Sequence, residues 1–387
     1  MSKKLFGKKH SRAFIVLAAL ALIASLLLAA CAGGSGGGAK TTAKAAEATT
    51  AAKADSAAKE PKKLRLASHN AVIEGNAYRV RYEADIKDAA AAAKEYGLDV
   101  SYASFVSNWD PSTENQQLEN SINEGYDIIL VNPVAPTGLD PIIEKALEAG
   151  IVYINCDCEY TTPMAKKIIN VCTDQYYLGY KSATYVGDVL GKGAKVVLIS
   201  AIEGNAANTQ RDNGFLQGIK EKGLEVVGRY NHNWDNTLAA QIMTEILNSG
   251  IEFDGVLISQ GASAVITAYQ NAGKPWPKAL GFGDDGLFMK QMLEINATKE
   301  VLPYIVVSNP PGVGGSALNF GLNKILGYEM RDDIYSNKDY NSIYLESKVW
   351  YTYKTQEENR KIAEATAESD VISYWLTIDE VRKQFFR

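Results

Sequence analysis

The feature that most constrains the fold is an alternation that runs twice along the chain. Residues 64–68, 98–106, 128–131 and 151–154 are short apolar runs that read as strands. Between them lie amphipathic stretches that read as helices: 78–96, a segment opening at Asp110-Pro111, and 139–150. Gly97 suits a helix end, because glycine takes the left-handed conformation there without a Cβ penalty. Asp110 and Pro111 suit a helix start as N-cap and first-turn proline, with Leu118 and Ile122 facing inward. The pattern then restarts. Residues 176–190, 215–222, 238–249, 262–272 and 287–293 read as helices, and 196–200, 224–227, 255–259, 279–282 and 304–307 as strands. Strands separated by helices pair in parallel through right-handed crossovers. Two such runs predict two doubly wound α/β lobes.

The first thirty residues bear on the compartment. Lys3, Lys4, Lys8, Lys9 and Arg12 precede a stretch, residues 13–30, without charge. Leu28-Ala29-Ala30-Cys31 closes it. A basic region, an apolar region and small residues before a cut read as an export signal over residues 1–30. The cysteine after the small residues is similar to a bacterial lipobox, which implies that Cys31 carries a diacylglycerol and anchors the mature chain to a membrane. An uncleaved membrane helix is the competing reading. Residues 31–62 are mainly Gly, Ala, Lys, Thr and Ser, too poor in large apolar groups to offset the entropy of ordering, and read as a flexible tether.

Charge points away from nucleic acid. The chain has 40 basic and 45 acidic residues. Loss of the five basic residues of the signal leaves 35 against 45, a net −10, and no basic run follows the tether to meet phosphates. Cys156, Cys158 and Cys172 remain after Cys31; a Cys158–Cys172 bridge and three free buried thiols are both open to an exported chain. With His10, His69 and His232 the only histidines, no zinc-ligand spacing exists, and no cofactor is expected.

In sheets of this kind ligands sit beyond the carboxyl ends of the strands. The residues found there are Asn, Asp, Gln, Arg and aromatics. The stretch 203–215, Glu-Gly-Asn-Ala-Ala-Asn-Thr-Gln-Arg-Asp-Asn-Gly-Phe, reads as such a loop, leading into a helix and carrying Arg211. A sugar needs amides and carboxylates for its hydroxyls, an arginine fork that does not titrate, and aromatic planes for its C–H face. An unpaired hydroxyl in a closed site costs about 1–3 kcal/mol, so such a site rejects wrong stereoisomers.

Five segments, GNAYRVRYEADIKDAA, EGYDIILVNPV, INCDC, AANTQRDNGFLQGI and VVSNPPGVG, together resemble the periplasmic sugar-binding proteins of ABC importers, of the ribose/galactose type. The resemblance implies two Rossmann-like lobes with parallel sheets joined by a three-strand hinge, the type I periplasmic binding protein fold. It implies a monosaccharide, or a small polyol or disaccharide, held between the lobes and delivered to the transmembrane subunits of an ABC permease, by a monomer that is not an enzyme. By position it assigns Asn76 and Tyr78, Asp157 at the end of the fourth strand, Arg211, Trp234, Gln260, Asp284 and Asn309 to ligand binding. Cys158 stands where the family often has arginine, and Arg79 where a second phenylalanine is common, so Arg79 is a candidate replacement for that guanidinium. Trp109 is a candidate third aromatic wall. The expected lobes are 63–172 with 310–340, and 173–309 with 341–387, the last part packing as helices on the second lobe. A sensor presenting its sugar to a chemotaxis or two-component receptor is the alternative role.

The run Gly281-Phe-Gly-Asp-Asp-Gly286 spells a dinucleotide fingerprint after a strand, but its two aspartates would repel a pyrophosphate. Asp284 and Asp285, as sequence neighbours, do not make the opposed carboxylate pair of a glycosidase, about 5–10 Å apart.

Overall fold

The computed structural model describes residues 60–298, 301–351 and 356–387. The signal, Cys31 and nearly all of the tether lie outside them. Two sheets have the same strand order. In the first, β1 (Lys62–Asn70), β2 (Leu98–Val106), β3 (Ile128–Val131), β4 (Val152–Asp157), β5 (Ile169–Thr173) and β11 (Ser342–Leu345) stand as β11-β5-β4-β3-β1-β2, all parallel. In the second, β6 (Lys195–Ser200), β7 (Glu225–Asn231), β8 (Gly255–Ile258), β9 (Ala279–Gly281), β10 (Tyr304–Val307) and β12 (Val349–Tyr351) stand as β12-β10-β9-β8-β6-β7, with β12 alone antiparallel.

Helices cover both faces of each sheet, as parallel strands require. The first lobe uses α1 (Ala77–Ala92), α2 (Pro111–Asn123), α3 (Asp140–Glu148) and the later α9 (Val313–Ile325). The second uses α4 (Gln175–Leu190), α5 (Ala206–Lys222), α6 (Asn236–Ser249), α7 (Ala262–Ala272) and α8 (Gly286–Asn296). Successive strand residues point to opposite faces. Ile128 and Leu130 of β3 therefore join Tyr82 and Ile86 of α1 and Phe320 of α9. Ile129 and Val131 join Leu118 of α2 and Ile143 of α3. In the second lobe Val196 and Leu198 meet Phe215 and Val186, while Val197 and Ile199 meet Met243, Val265 and Phe288.

The chain passes between the sheets at residue 174, at 308–312 and at 346–348. It passes once more in the tail, through residues 366–377, between α10 (Gln356–Ala365) and α11 (Ile378–Phe385). Three expectations change here. β11 pairs with β5, with Ile343 opposite Val171, so the first lobe's returning segment reaches Leu345 rather than ending at residue 340. The tail does not stay with the second lobe either: α10 packs on α8, but α11 packs on α9. The reason is apolar: Phe385 and Phe386 lie 4.8 and 5.9 Å from the Phe320 ring, and Ile378 and Val381 are buried in the same core. The stretch 203–215 is also mostly helix, since α5 begins at Ala206; Arg211 is a helical residue, not a loop residue.

Candidate functional site

The first lobe's contribution is built around Asp157, the last residue of β4. Its backbone is left-handed, φ 71°, a conformation that short polar side chains tolerate best. Only 5% exposed, its carboxylate accepts from the Tyr78 hydroxyl at 2.9 Å and from Asn132 Nδ2 at 3.1 Å. Arg79 Nη2 closes the set at 2.8 Å. Burial, then the neighbouring Asp157, pushes the Tyr78 phenol well above its usual range, so it stays a donor. The second terminal nitrogen of Arg79, Nη1, is buried without a hydrogen-bond partner among the described residues. Tyr78 and Arg79 sit in the first turn of α1, which Asn76 caps by accepting from the Arg79 amide at 3.0 Å.

The second lobe's contribution is built around Arg211. It is 3% exposed; its Nε donates to Gln175 Oε1 at 2.6 Å and its Nη1 to the Ser259 carbonyl at 2.7 Å. Gln175 in turn donates to Asn309 Oδ1 at 3.0 Å. The guanidinium lies 5.0 Å from the Trp234 ring centre, a cation–π distance. No carboxylate forms an ion pair with it among the described residues. Burial lowers its pKa, against Asp284, Tyr78 and Asp157, which raise it; an arginine remains charged regardless. Two glycines bring α4 and α5 together here. A Cβ on Gly179 would overlap the Arg211 carbonyl oxygen, and one on Gly214 the Tyr176 carbonyl oxygen. That close approach sets α5, and with it Arg211, against the start of α4.

Both halves meet at one cavity with an empty volume of about 520 Å³, part of it open to solvent. It is lined by Asn76, Tyr78, Arg79, Trp109 and Asp157 from the first lobe and by Arg211, Trp234, Gln260 and Asn309 from the second or its edge. Asp284 is not among the lining residues. It is 5% exposed, its carbonyl accepts from the Ile372 amide of the tail at 2.7 Å, and its carboxyl is pushed up to about 7 by burial and by Asp285, with Arg211 pulling it back. Cys158 also lines the cavity, its thiol pushed up to about 12 by burial. Cys156, Cys158 and Cys172 are all free, which answers the disulfide question on the side of thiols. Among the described residues no cluster of His, Cys, Asp and Glu could hold a metal ion.

Gln175, Asn205 and Ala207 line the cavity without having stood out in the sequence. A signal for two of them exists. Glu74-Gly-Asn-Ala77 recurs as Glu203-Gly-Asn-Ala206, and Asn108-Trp-Asp110 as Asn233-Trp-Asp235. The copies are structurally equivalent. Asn76 and Asn205 each cap a helix through the amide three residues on. Asn108, Trp109, Asn233 and Trp234 are all left-handed, φ 52–63°, and Asp110 and Asp235 each cap the helix that follows. Each lobe thus presents the same two loops to the cavity.

Residues 74–329 match the periplasmic binding protein domain family. The chain belongs to that family. Its members are binding proteins rather than enzymes. The chain is 27% identical to the D-allose-binding periplasmic protein of Escherichia coli over 236 residues, 58% of this chain and 74% of that one. It is 26% identical to the ribose import binding protein of Bacillus subtilis over 43% of this chain, and 30% identical to a putative rhizopine-binding protein of Rhizobium meliloti over 43%. The match spans about half the length of these last two relatives, 54% and 56%. Among solved structures, the solute binding protein of Thermobispora bispora superposes with a TM-score of 0.68 at 19% identity, over 83% of this chain and 94% of that one. A periplasmic solute binding protein of Actinobacillus succinogenes with bound D-allose gives 0.63 at 21%, over 76% and 99%. These likenesses show the fold: two parallel-sheet α/β lobes of the type I arrangement. No helix among the described residues is long and apolar enough to cross a membrane.

Proposed function

We propose that this periplasmic binding protein captures a monosaccharide or a closely related small polyol between its lobes and delivers it to the permease of an ABC importer. The observation that carries the reading is the convergence of Asp157, Arg79 and Tyr78 from one sheet with Arg211, Trp234, Gln260 and Asn309 from the other on one cavity. Acceptors, fixed donors and ring faces in one enclosed space fit a ligand whose every hydroxyl both donates and accepts. The names of the relatives, binding D-allose, ribose or rhizopine, support a sugar or ring polyol over a peptide or an ion. So does a structural neighbour from Bacillus halodurans with bound myo-inositol, of TM-score 0.62.

In this reading Arg79 takes the place of a guanidinium on the first lobe, donating through its unpartnered Nη1 while Nη2 stays on Asp157. Arg211 donates from the second lobe with its direction fixed by Gln175 and the Ser259 carbonyl. Contacts to both lobes exist only when the lobes are together, so ligand binding favours closure. Asp284 then acts through Arg211, as a charge behind it. The lipobox-like Leu28-Ala-Ala-Cys31 supports an acylated, membrane-tethered mature protein working outside the cytoplasm.

The test is Arg211→Ala in the purified full chain, read by titration calorimetry against sugars that raise the melting temperature of the parent protein. Loss of a charged hydrogen bond costs about 1.5–3 kcal/mol, roughly 10- to 150-fold in Kd. An affinity within twofold of the parent removes Arg211 from the site, and a parent protein that binds no sugar or polyol defeats the reading as a whole.

A further inference from the structure

The two Asn-Trp-Asp loops share one backbone but not one environment. Trp234 is engaged by the protein itself, with the Arg211 guanidinium 5.0 Å from its ring centre and the His232 ring edge-on at 6.0 Å. Trp109 lines the same cavity, is 45% exposed, and makes no ring or cation contact among the described residues. It is not loose. Its amide donates to the Ala71 carbonyl at 3.2 Å, the Asp110 amide donates to the Ser107 carbonyl at 3.1 Å, and Asp110 caps α2. A large ring is therefore held on a left-handed residue, lining a polar cavity and nearly half exposed, with no ring or cation stacked on it among the described residues. A non-glycine side chain in that conformation is uncommon enough to ask what it serves.

The other repeat supplies the space. Where the first lobe has Tyr78 after Glu-Gly-Asn-Ala, the second has Ala207, which lines the cavity as a methyl group in place of a phenol. Asn205 beside it uses its Oδ1 to cap α5 at 3.1 Å, and its Nδ2 makes no hydrogen bond among the described residues. A free amide donor, a half-exposed indole and a missing phenol are the components of a second small binding surface within the same cavity. We infer that the site accepts a second ring: its preferred ligand is a disaccharide or an aryl glycoside whose outer ring stacks on Trp109 while the inner sugar meets Asp157, Arg79 and Arg211. This rests on the sugar reading above and narrows it to glycosides.

The test uses the full chain and paired probes: D-glucose, D-galactose and D-ribose, each beside its methyl and phenyl glycosides, with maltose and lactose as disaccharides. Calorimetry measures the parent, Trp109→Ala and Trp109→Phe, with melting curves to confirm folding. The expected result is that at least one phenyl glycoside or disaccharide binds the parent more tightly than its own monosaccharide. Trp109→Ala then weakens that ligand about tenfold more than it weakens the monosaccharide, as loss of a stacked ring with its buried area predicts, and Trp109→Phe restores most of the difference. Monosaccharides binding as tightly as all their glycosides, or Trp109→Ala weakening both by the same factor, overturns the second ring while leaving sugar capture intact. Failure of every glycoside and disaccharide to bind while a monosaccharide or polyol binds overturns this proposal alone, and failure of these probes together with D-allose and myo-inositol defeats sugar capture as well.

Discussion

The ion pair between Arg79 and Asp157 gives the sharpest quantitative expectation. Asp157→Asn keeps the size of the side chain and its tolerance of a left-handed backbone, and removes only the charge. Its Oδ1 can accept from two of the donors Tyr78, Asn132 and Arg79, but its Nδ2 accepts from none, and no negative charge remains for Arg79. Arg79 is then a cation whose side chain is 12% exposed and which has lost its 2.8 Å partner. Removing one member of a buried pair costs about 3–5 kcal/mol. The neutral Oδ1 acceptor that the variant keeps and the remaining 12% exposure of Arg79 argue for the lower end, about 3 kcal/mol. Arg79→Met removes the cation but keeps an apolar stem, and leaves Asp157 with two neutral donors; about 1–2 kcal/mol is expected. In the double variant the stranded charge is gone, so the losses do not add, and a coupling energy of about 2 kcal/mol should appear. Fluorescence-monitored urea denaturation of the ligand-free protein measures all four species. Additive single effects, within about 0.5 kcal/mol, would mean that the pair is solvated and that the first lobe's half of the site is not pre-formed.

Three further outcomes follow from the same physics. Gly179→Ala drives a methyl into the Arg211 carbonyl; overpacking of this kind costs about 1–3 kcal/mol, and melting temperature and sugar affinity should fall together, whereas an unchanged affinity would separate the α4–α5 contact from the site. Burial holds the Asp284 carboxyl up at about 7, above the roughly 3.9 of an unfolded chain. Between those pH values the native state keeps a proton that the unfolded state has lost, so stability falls as pH rises through that window. Glu83 and Glu114, both raised to about 7, act in the same direction; Asp284→Asn should flatten, not abolish, the drop in denaturation midpoint from pH 5 to pH 8, and an unchanged slope places the proton elsewhere. Cys31→Ser should move the protein from the membrane to the soluble fraction after cell lysis, while persistent membrane fractionation favours an uncleaved helix over an acylated cysteine.

The strands were legible because a doubly covered parallel strand has to be apolar on both faces, as Ile128-Ile-Leu-Val131 is. Their carboxyl ends were legible by the same token, since the polar residues that follow such a run lie toward the cleft end of the sheet; Asp157 and Asn309, which the family resemblance assigns by position, stand there and line the cavity. Arg211 lines the cavity but belongs to a helix where a loop was expected. The first turns of α5, Ala206-Ala-Asn-Thr-Gln210, show no helical spacing of large apolar groups. The reason is that this helix packs on α4 through Gly214 and Gly218, which approach backbone and a methyl group, and not through a stripe of leucines. Close packing of small residues buries a helix face without leaving the hydrophobic period that a sequence reader looks for.

Asp284 and the tail share one cause for being misplaced. The residue lies three positions beyond the end of β9 in the second lobe, where a ligand-facing residue would stand, but its carbonyl is taken by Ile372 and its neighbour Asp285 bridges Val371. The same stretch goes on to the first lobe: Ser373 Oγ donates to Asp85 of α1 at 2.5 Å across 288 residues of sequence, and accepts from the Gly312 amide at 2.8 Å. Tyr374 pairs its hydroxyl with Ser308 at 2.7 Å. None of these partners has a local sequence signature, because each is a single polar group whose match is made only when both lobes are folded. The consequence for the proposed closure is mechanical. Three hinge segments would leave the lobes free to open about one axis, but residues 366–377 hold α1, the 308–312 crossing and the β9–α8 turn at once. A motion that separated these elements would break the Ser373 and Tyr374 bonds.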